Sequence, residues 1–138
     1  EDRNNAGVVG LMPAPILYIA GPITGVDGYK EFFERADYAL RQEGYETRNP
    51  TKCSPLRTPL EKAKPYSRFT PGRRPPEPSW HDYMRQCLRT IAQVDGVALL
   101  DGWEDSRGAS WEHRIATEVL AIPCLPVAEW LELGGMMP

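Results

Sequence analysis

The sequence has few cysteines, no long apolar run and no excess of positive charge, and each shortage excludes a class of protein. Its three cysteines, Cys53, Cys87 and Cys124, are too few and too widely spaced for a disulfide framework or a CxxC site. No apolar run approaches the roughly 20 residues that span a bilayer. A net charge of -3 argues against a general nucleic-acid binder, which needs a surplus of lysine and arginine. We therefore expect a cytoplasmic protein whose partners are neither membrane nor nucleic acid.

The chain also lacks the glycine-rich motifs of the common nucleotide-binding folds. It contains neither a GxGxxG dinucleotide fingerprint nor a GxxxxGK phosphate loop, and it shows no cluster of metal ligands. We therefore expect no cofactor and no metal, and a ligand smaller than a dinucleotide.

What is present fits one globular domain. The 138 residues are 41% hydrophobic and 25% charged, which is enough for one sizeable core. Residues 1–14 lack a basic region followed by an apolar one, so we interpret them as a flexible lead-in rather than a signal peptide. The domain proper is expected over residues 15–138.

Short apolar strands alternate with amphipathic helices along this domain. Alternation of this kind predicts a mainly parallel sheet with right-handed crossovers. The expected fold is α/β: a single-domain, flavodoxin-like or Rossmann-like three-layer sandwich around a sheet of four to five strands. Ser79 and Asp82 form the Ser-x-x-acid pattern of a capping box before the second helix. The predicted strands are 16–20, 45–48, 97–100 and 122–127, and the other predicted helices are 29–43 and 110–120.

A proline-rich, basic insertion is predicted at residues 51–78. Eight of the 14 prolines lie from Pro50 to Pro78. The stretch from Lys52 to Arg74 contains seven basic residues and only one acidic residue. One interpretation is a solvated loop stiffened by proline; the other is a basic lid over an anionic ligand.

Two loops are predicted to form a ligand site, because ligands bind at the carboxyl ends of parallel strands. One follows the first strand; the other follows strand 97–100 and leads into the helix that carries Glu112. Free amides at that helix start attract phosphate or carboxylate. Glu112 itself is either a carboxylate that complements the helix dipole or a catalytic group. The loop residues concerned are Gly21, Pro22, Ile23, Thr24 and Gly25 in the first loop, and Ser106, Arg107 and Gly108 in the second.

The segments "ILYIAGPITG", "VDGVALLDGWEDSRGASWEHRIA" and "AIPC" resemble the nucleoside 2-deoxyribosyltransferase superfamily. The likeness covers about residues 15–127 and includes a branch of often phage-encoded domains with an LxGWexSrGAxxE pattern. The sequence is also similar to the 2'-deoxynucleoside 5'-monophosphate N-glycosidases. The resemblance implies that Glu112 is the nucleophile that forms a covalent glycosyl intermediate, a role that suits a carboxylate.

The resemblance implies roles for further residues. Tyr18 would hold the glutamate or the sugar, and Ser106 would bind a 5'-phosphate, helped by Arg107; a simple helix N-cap is the alternative for Ser106. Trp103 would border the base or ribose, or else pack on the surface. Gly21, Ile23 and Thr24 would line the nucleotide pocket.

One position departs from the family pattern. Cys87 stands where the family has an aspartate that contacts the sugar and helps protonate the leaving base, although a cysteine there also suits a small core residue. Asp101, at the end of its strand, is the better substitute acid, and His81 would serve if the insertion folds over the pocket.

The sequence therefore predicts a nucleotide N-glycosidase that acts through Glu112. A deoxyribosyltransferase and a non-catalytic nucleotide-binding protein are the alternatives. The expected partners are a small nucleotide substrate and a second copy of the chain, in a homodimer or a higher homo-oligomer.

Overall fold

The computed structural model describes residues 12–63 and 77–138. Most of the predicted lead-in and the middle of the basic insertion, residues 64–76, lie outside the described residues. Within the described part, no helix is long and apolar enough to cross a membrane.

Four parallel strands form one sheet, as predicted. They are β1 (Ile16–Ala20), β2 (Glu46–Arg48), β3 (Gly96–Leu99) and β4 (Cys124–Pro126), in the order β2-β1-β3-β4. This order is that of the flavodoxin-like class of doubly wound folds. The expectation of an α/β fold with a parallel sheet is confirmed.

Helices cover both faces of the sheet. They are α1 (Tyr29–Gln42), α2 (Pro59–Ala63), α3 (Trp80–Ile91), α4 (Arg107–Arg114) and α5 (Val127–Leu133). Short 3-10 turns span Pro50–Lys52 and Trp103–Asp105, and a π-helical turn, Ile115–Val119, continues α4.

Successive side chains of β1 point alternately into the two layers of the core, one on each face of the sheet. Leu17 and Ile19 pack with apolar residues of α1 and α5, whereas Tyr18 and Ala20 pack with those of α3 and α4. Successive strand residues point to opposite faces, so one five-residue strand supplies both cores. The result is the predicted three-layer sandwich.

Trp130 anchors the layer formed by α1 and α5. Its indole Nε1 donates to the carbonyl oxygen of Val97 at 2.8 Å, and its ring meets Tyr45 edge to face. A Cβ at Gly96 would lie 2.6 Å from the indole ring, so only glycine fits there. The tail segment after β4 is therefore part of the core.

The capping box before α3 is confirmed, and it also ties down the insertion. The Asp82 amide donates to Ser79 Oγ at 3.2 Å, and Asp82 Oδ2 accepts from the Ser79 amide at 2.8 Å. The same Oδ2 pairs with Arg57 Nε at 2.9 Å. The hydrogen bond from the Ser79 backbone and the pairing with Arg57 lower the pKa of Asp82.

Two predicted elements differ from the observed ones by two residues or more at an end, and one helix was not predicted. The helix expected over 110–120 begins at Arg107, because Ser106 caps it, and it passes into the π-helical turn after Arg114. The last strand is shorter than 122–127, since only residues 124–126 pair with β3. The insertion, for which no element was predicted, contains α2 and overlaps the Pro50–Lys52 turn.

Candidate functional site

A cavity of about 550 Å³ opens at the carboxyl end of β1. The chain leaves β1 toward β2 on one side and reaches β3 on the other, so this is the point where the strand order reverses. Ligands bind at this switch point in open α/β sheets. The wall comprises Tyr18, Gly21, Ile23, Thr24, Tyr29, Lys30, Pro50, Thr51, Cys53, Pro78, Trp80, Tyr83, Met84, Cys87, Ser106, Gly108, Ala109 and Glu112.

A buried carboxylate lies in this wall. Glu112, on α4, is only 5% exposed, and its Oε2 accepts a hydrogen bond from the Tyr18 hydroxyl at 2.7 Å. Tyr18 is itself 1% exposed because it stands in the central strand of the sheet. The predicted pairing of these two residues is present in the structure.

Burial controls the proton affinity of this cluster. Desolvation raises the pKa of Glu112 to about 7, although hydrogen bonds with Tyr18 and Cys87 favour the ionised form. Burial and the nearby Glu112 charge raise the pKa of Cys87 to about 12, and they raise the pKa of Tyr18 well above its ordinary value. The phenol and the thiol therefore stay protonated at neutral pH, whereas the carboxylate titrates close to neutrality.

The start of α4 forms one side of the cavity. Ser106 Oγ accepts from the Ala109 amide at 3.2 Å, so its predicted alternative role as an N-cap is confirmed. Ser106 and Gly108 line the cavity, which leaves phosphate binding by this helix start a prediction. The exposed Arg107 does not line the wall; its guanidinium carbon lies 3.7 Å from the centre of the Trp80 ring.

The loop after β1 contributes three of its five predicted residues to the cavity wall. Gly21, Ile23 and Thr24 line the cavity, whereas Pro22 and Gly25 do not. A Cβ at Gly21 would lie 2.7 Å from the Cβ of Leu100, so packing between the two strand ends requires glycine there.

Three further predicted side chains are not brought to the cavity wall. Asp101 and His81 are exposed, and the His81 ring lies against Trp80 with 5.2 Å between centroids. Trp103 is half-buried and stacks on His113 at 4.3 Å. The structure therefore does not bring Asp101 or His81, the two proposed acids, together with Glu112.

One face of α3 supplies the predicted Cys87 together with three wall residues that the sequence analysis did not identify. Trp80, Tyr83, Met84 and Cys87 are spaced i, i+3, i+4 and i+7 and share this face. Met84 and Cys87 belong to the apolar helical pattern seen in the sequence, and the two aromatic residues extend the same face of the helix. Tyr29, Lys30, Thr51 and Cys53 also line the cavity without having been predicted.

A polar cluster outside the cavity supports the wall at Thr51. Buried Asp37 of α1 accepts hydrogen bonds from Thr47 and from Asn49, and the Asn49 side chain accepts from the Thr51 amide at 3.0 Å. These hydrogen bonds, together with the Arg41 charge, outweigh burial and lower the pKa of Asp37. This cluster fixes the turn that places Thr51 in the wall.

The described residues contain no group of three or more histidine, cysteine, aspartate or glutamate side chains placed to hold a metal ion.

Comparison with known families gives one match. A family model described as a domain of unknown function (DUF4406) matches residues 15–122, which is most of the chain and includes every residue of the cavity wall named above. No curated protein and no solved structure matches the chain significantly.

Proposed function

We propose that this chain, which belongs to the family described as a domain of unknown function (DUF4406), hydrolyses the base–sugar bond of a nucleoside or deoxynucleoside 5'-monophosphate. The observation that carries the proposal is the buried Glu112 carboxylate, held by the Tyr18 hydroxyl inside a cavity at the switch point of the sheet. The likeness of the "GWEDSRGASWEH" segment to nucleotide glycosidases supports the same chemistry.

In the proposed mechanism Glu112 attacks the anomeric carbon. The hydrogen bond from Tyr18 to Oε2 fixes the orientation of the carboxylate, so that it meets the sugar in one geometry. The carbon–nitrogen bond breaks, its electron pair leaves with the base, and the sugar becomes an ester of Glu112. A base that leaves as an anion gains the proton that water loses in the next step. Water then attacks the same carbon and releases the sugar phosphate with retention of configuration.

The cavity also suits the phosphate of a nucleotide. Its volume of about 550 Å³ falls in the usual range for small-molecule sites. Ser106 and Gly108 place the start of α4 at the wall, where backbone amides and the helix dipole favour an anion. Lys30 adds a positive charge to the wall.

The test is a panel of ribo- and deoxyribonucleoside 5'-monophosphates that differ in base and in base charge, with chromatography for free base. We expect release from at least one member and loss of release in Glu112→Gln. Glu129→Gln, on an exposed position of α5, is the matched control and should keep full activity. The proposal is refuted if no member releases base, or if Glu112→Gln releases it at the wild-type rate.

Base exchange is the alternative reaction at the same carboxylate. A transferase would pass the sugar from Glu112 to a second base, so an added free base would yield a new nucleotide in the same assay. With a glycosidase, the sugar phosphate accumulates whether or not free base is added.

We further propose a homodimer in a reducing cytoplasm. Trp111 is 46% exposed and Val119 is 71% exposed, and both lie on the segment formed by α4 and its π-helical turn. Contact between two copies would remove this apolar surface from water. The three cysteines are free thiols, which suits a reducing compartment.

A further inference from the structure

The charges in the cavity wall are few. Among the described residues that line it, Lys30 supplies the one basic side chain and Glu112 the one carboxyl group. Lys30 is exposed on α1, whereas Glu112 is buried on α4. The reacting end of the cavity therefore presents one carboxylate among aromatic, apolar and neutral polar side chains.

The groups that touch this carboxylate are poor acids. Glu112 interacts with a phenol, Tyr18, and with a thiol, Cys87, and burial keeps both protonated at neutral pH. Residues 64–76, the middle of the insertion, contain no aspartate, glutamate or histidine in their sequence. The two groups in contact with Glu112 are therefore poor proton donors for a departing base.

We propose that the base of the substrate carries a positive charge, as in pyridinium nucleotides and nucleotides of N-alkylated purines. This inference rests on the glycosidase activity proposed above and specifies its substrate class. A cationic base leaves as a neutral molecule, so it needs no acid. It also places a positive charge beside the buried carboxylate, which favours the ionised, nucleophilic form of Glu112.

The proposed step balances without a further reactant. Glu112 forms a bond to the anomeric carbon while the carbon–nitrogen bond breaks, and the electron pair of that bond neutralises the base nitrogen. Water then bonds to the carbon, the ester bond to Glu112 breaks, and the proton from the water passes to solvent. Hydrolysis of a cationic nucleotide thus releases one proton in total.

The aromatic face of α3 supports a cationic base. Trp80 already accepts the Arg107 guanidinium, whose central carbon lies 3.7 Å from the ring centre. Tyr83 lies one turn further along the same face of the cavity. The π faces of tryptophan and tyrosine attract cations, most strongly when water is excluded.

Two pairs of substrates, matched in shape, test the inference. One pair is 7-methylguanosine 5'-monophosphate and guanosine 5'-monophosphate; the other is nicotinamide mononucleotide and its reduced, uncharged form. We expect release of base from a charged member at least about 100-fold faster than from its neutral partner, each rate being measured above the Glu112→Gln background. A pH indicator should report one proton per charged nucleotide cleaved.

A Cys87→Asp variant separates enzymatic selectivity from the greater lability of charged nucleotides. A second carboxyl beside Glu112 would share a proton with it and supply the missing acid. We expect cleavage of guanosine 5'-monophosphate to rise at least about 10-fold in this variant, with no gain for the charged partner. Cys87→Ser, which adds no acid, is the matched control.

The outcomes distinguish the two proposals. If the wild-type protein cleaves both members of a pair at rates within about 10-fold, the charge inference is overturned and the glycosidase activity stands. If it cleaves no nucleotide of either kind, the glycosidase proposal fails and the inference fails with it. Cleavage of only one charged nucleotide supports the inference and identifies the base.

Discussion

Replacing Glu112 by glutamine should stabilise the protein relative to wild type increasingly as the pH rises toward neutrality. Burial raises the pKa of Glu112 from its ordinary value of 4.5 to about 7 in the folded protein. The folded state therefore holds this proton more tightly than the unfolded chain does. The stability that the proton provides is fully present below pH 4.5 and is lost as the pH rises through about 7.

The size of this loss follows from the two pKa values. At 1.36 kcal/mol for each pH unit, the difference corresponds to about 3 kcal/mol in the free energy of unfolding. Glutamine cannot ionise, so the variant escapes the loss. Any hydrogen bond with Tyr18 that glutamine makes less well adds an offset that does not depend on pH.

Urea unfolding of wild type and Glu112→Gln, from about pH 4 to about pH 9, measures the effect. The difference in unfolding free energy between the two proteins should shift by about 3 kcal/mol in favour of the variant across this range. The exposed-site control, Glu129→Gln, should run parallel to wild type. A constant difference between Glu112→Gln and wild type would mean that Glu112 is hydrated and would refute its burial in the cavity wall.

Two further predictions concern the backbone and the apolar surface. Ala121 has a φ of 55°, in the left-handed region, so Ala121→Gly should raise the free energy of unfolding by about 1 kcal/mol in urea; a decrease would show that this conformation carries no strain. Trp111→Glu should convert a dimer into a monomer by light scattering, with an unchanged circular dichroism spectrum. A monomeric wild-type protein would contradict the dimer.

The sheet and the position of the site could be predicted because their signals are local. Ile16–Ala20 is a short apolar run that ends at a Gly-Pro pair, and Ser79 with Asp82 forms a capping box that the structure confirms. Once the strands are known, the rule of the switch point selects the two loops. Tyr18 and Glu112 were identified from the resemblance, and the fold brings their side chains together.

What could not be predicted depends on side-chain direction and on packing. Asp101 was predicted to end a strand, but β3 ends at Leu99, and Asp101 lies in the following turn with its side chain exposed. The apolar face of α3 was expected to be core; Ile91 does lie in the core, but Met84 and Cys87 border the cavity. The apolar pattern alone placed the start of α4 at Ser110, whereas the N-cap alternative for Ser106 agrees with the observed start at Arg107.

Asp82 fastens both ends of the insertion to α3. It accepts hydrogen bonds from Arg57 on the entering limb and from Ser79 on the leaving limb, so both limbs are fastened to the first turn of α3. The free energy of closing a loop between fixed ends rises only slowly with its length, by about 0.6 kcal/mol for each doubling. The length of chain between these two limbs can therefore change at a small cost in closure free energy while Asp82 keeps both limbs fastened to the first turn of α3.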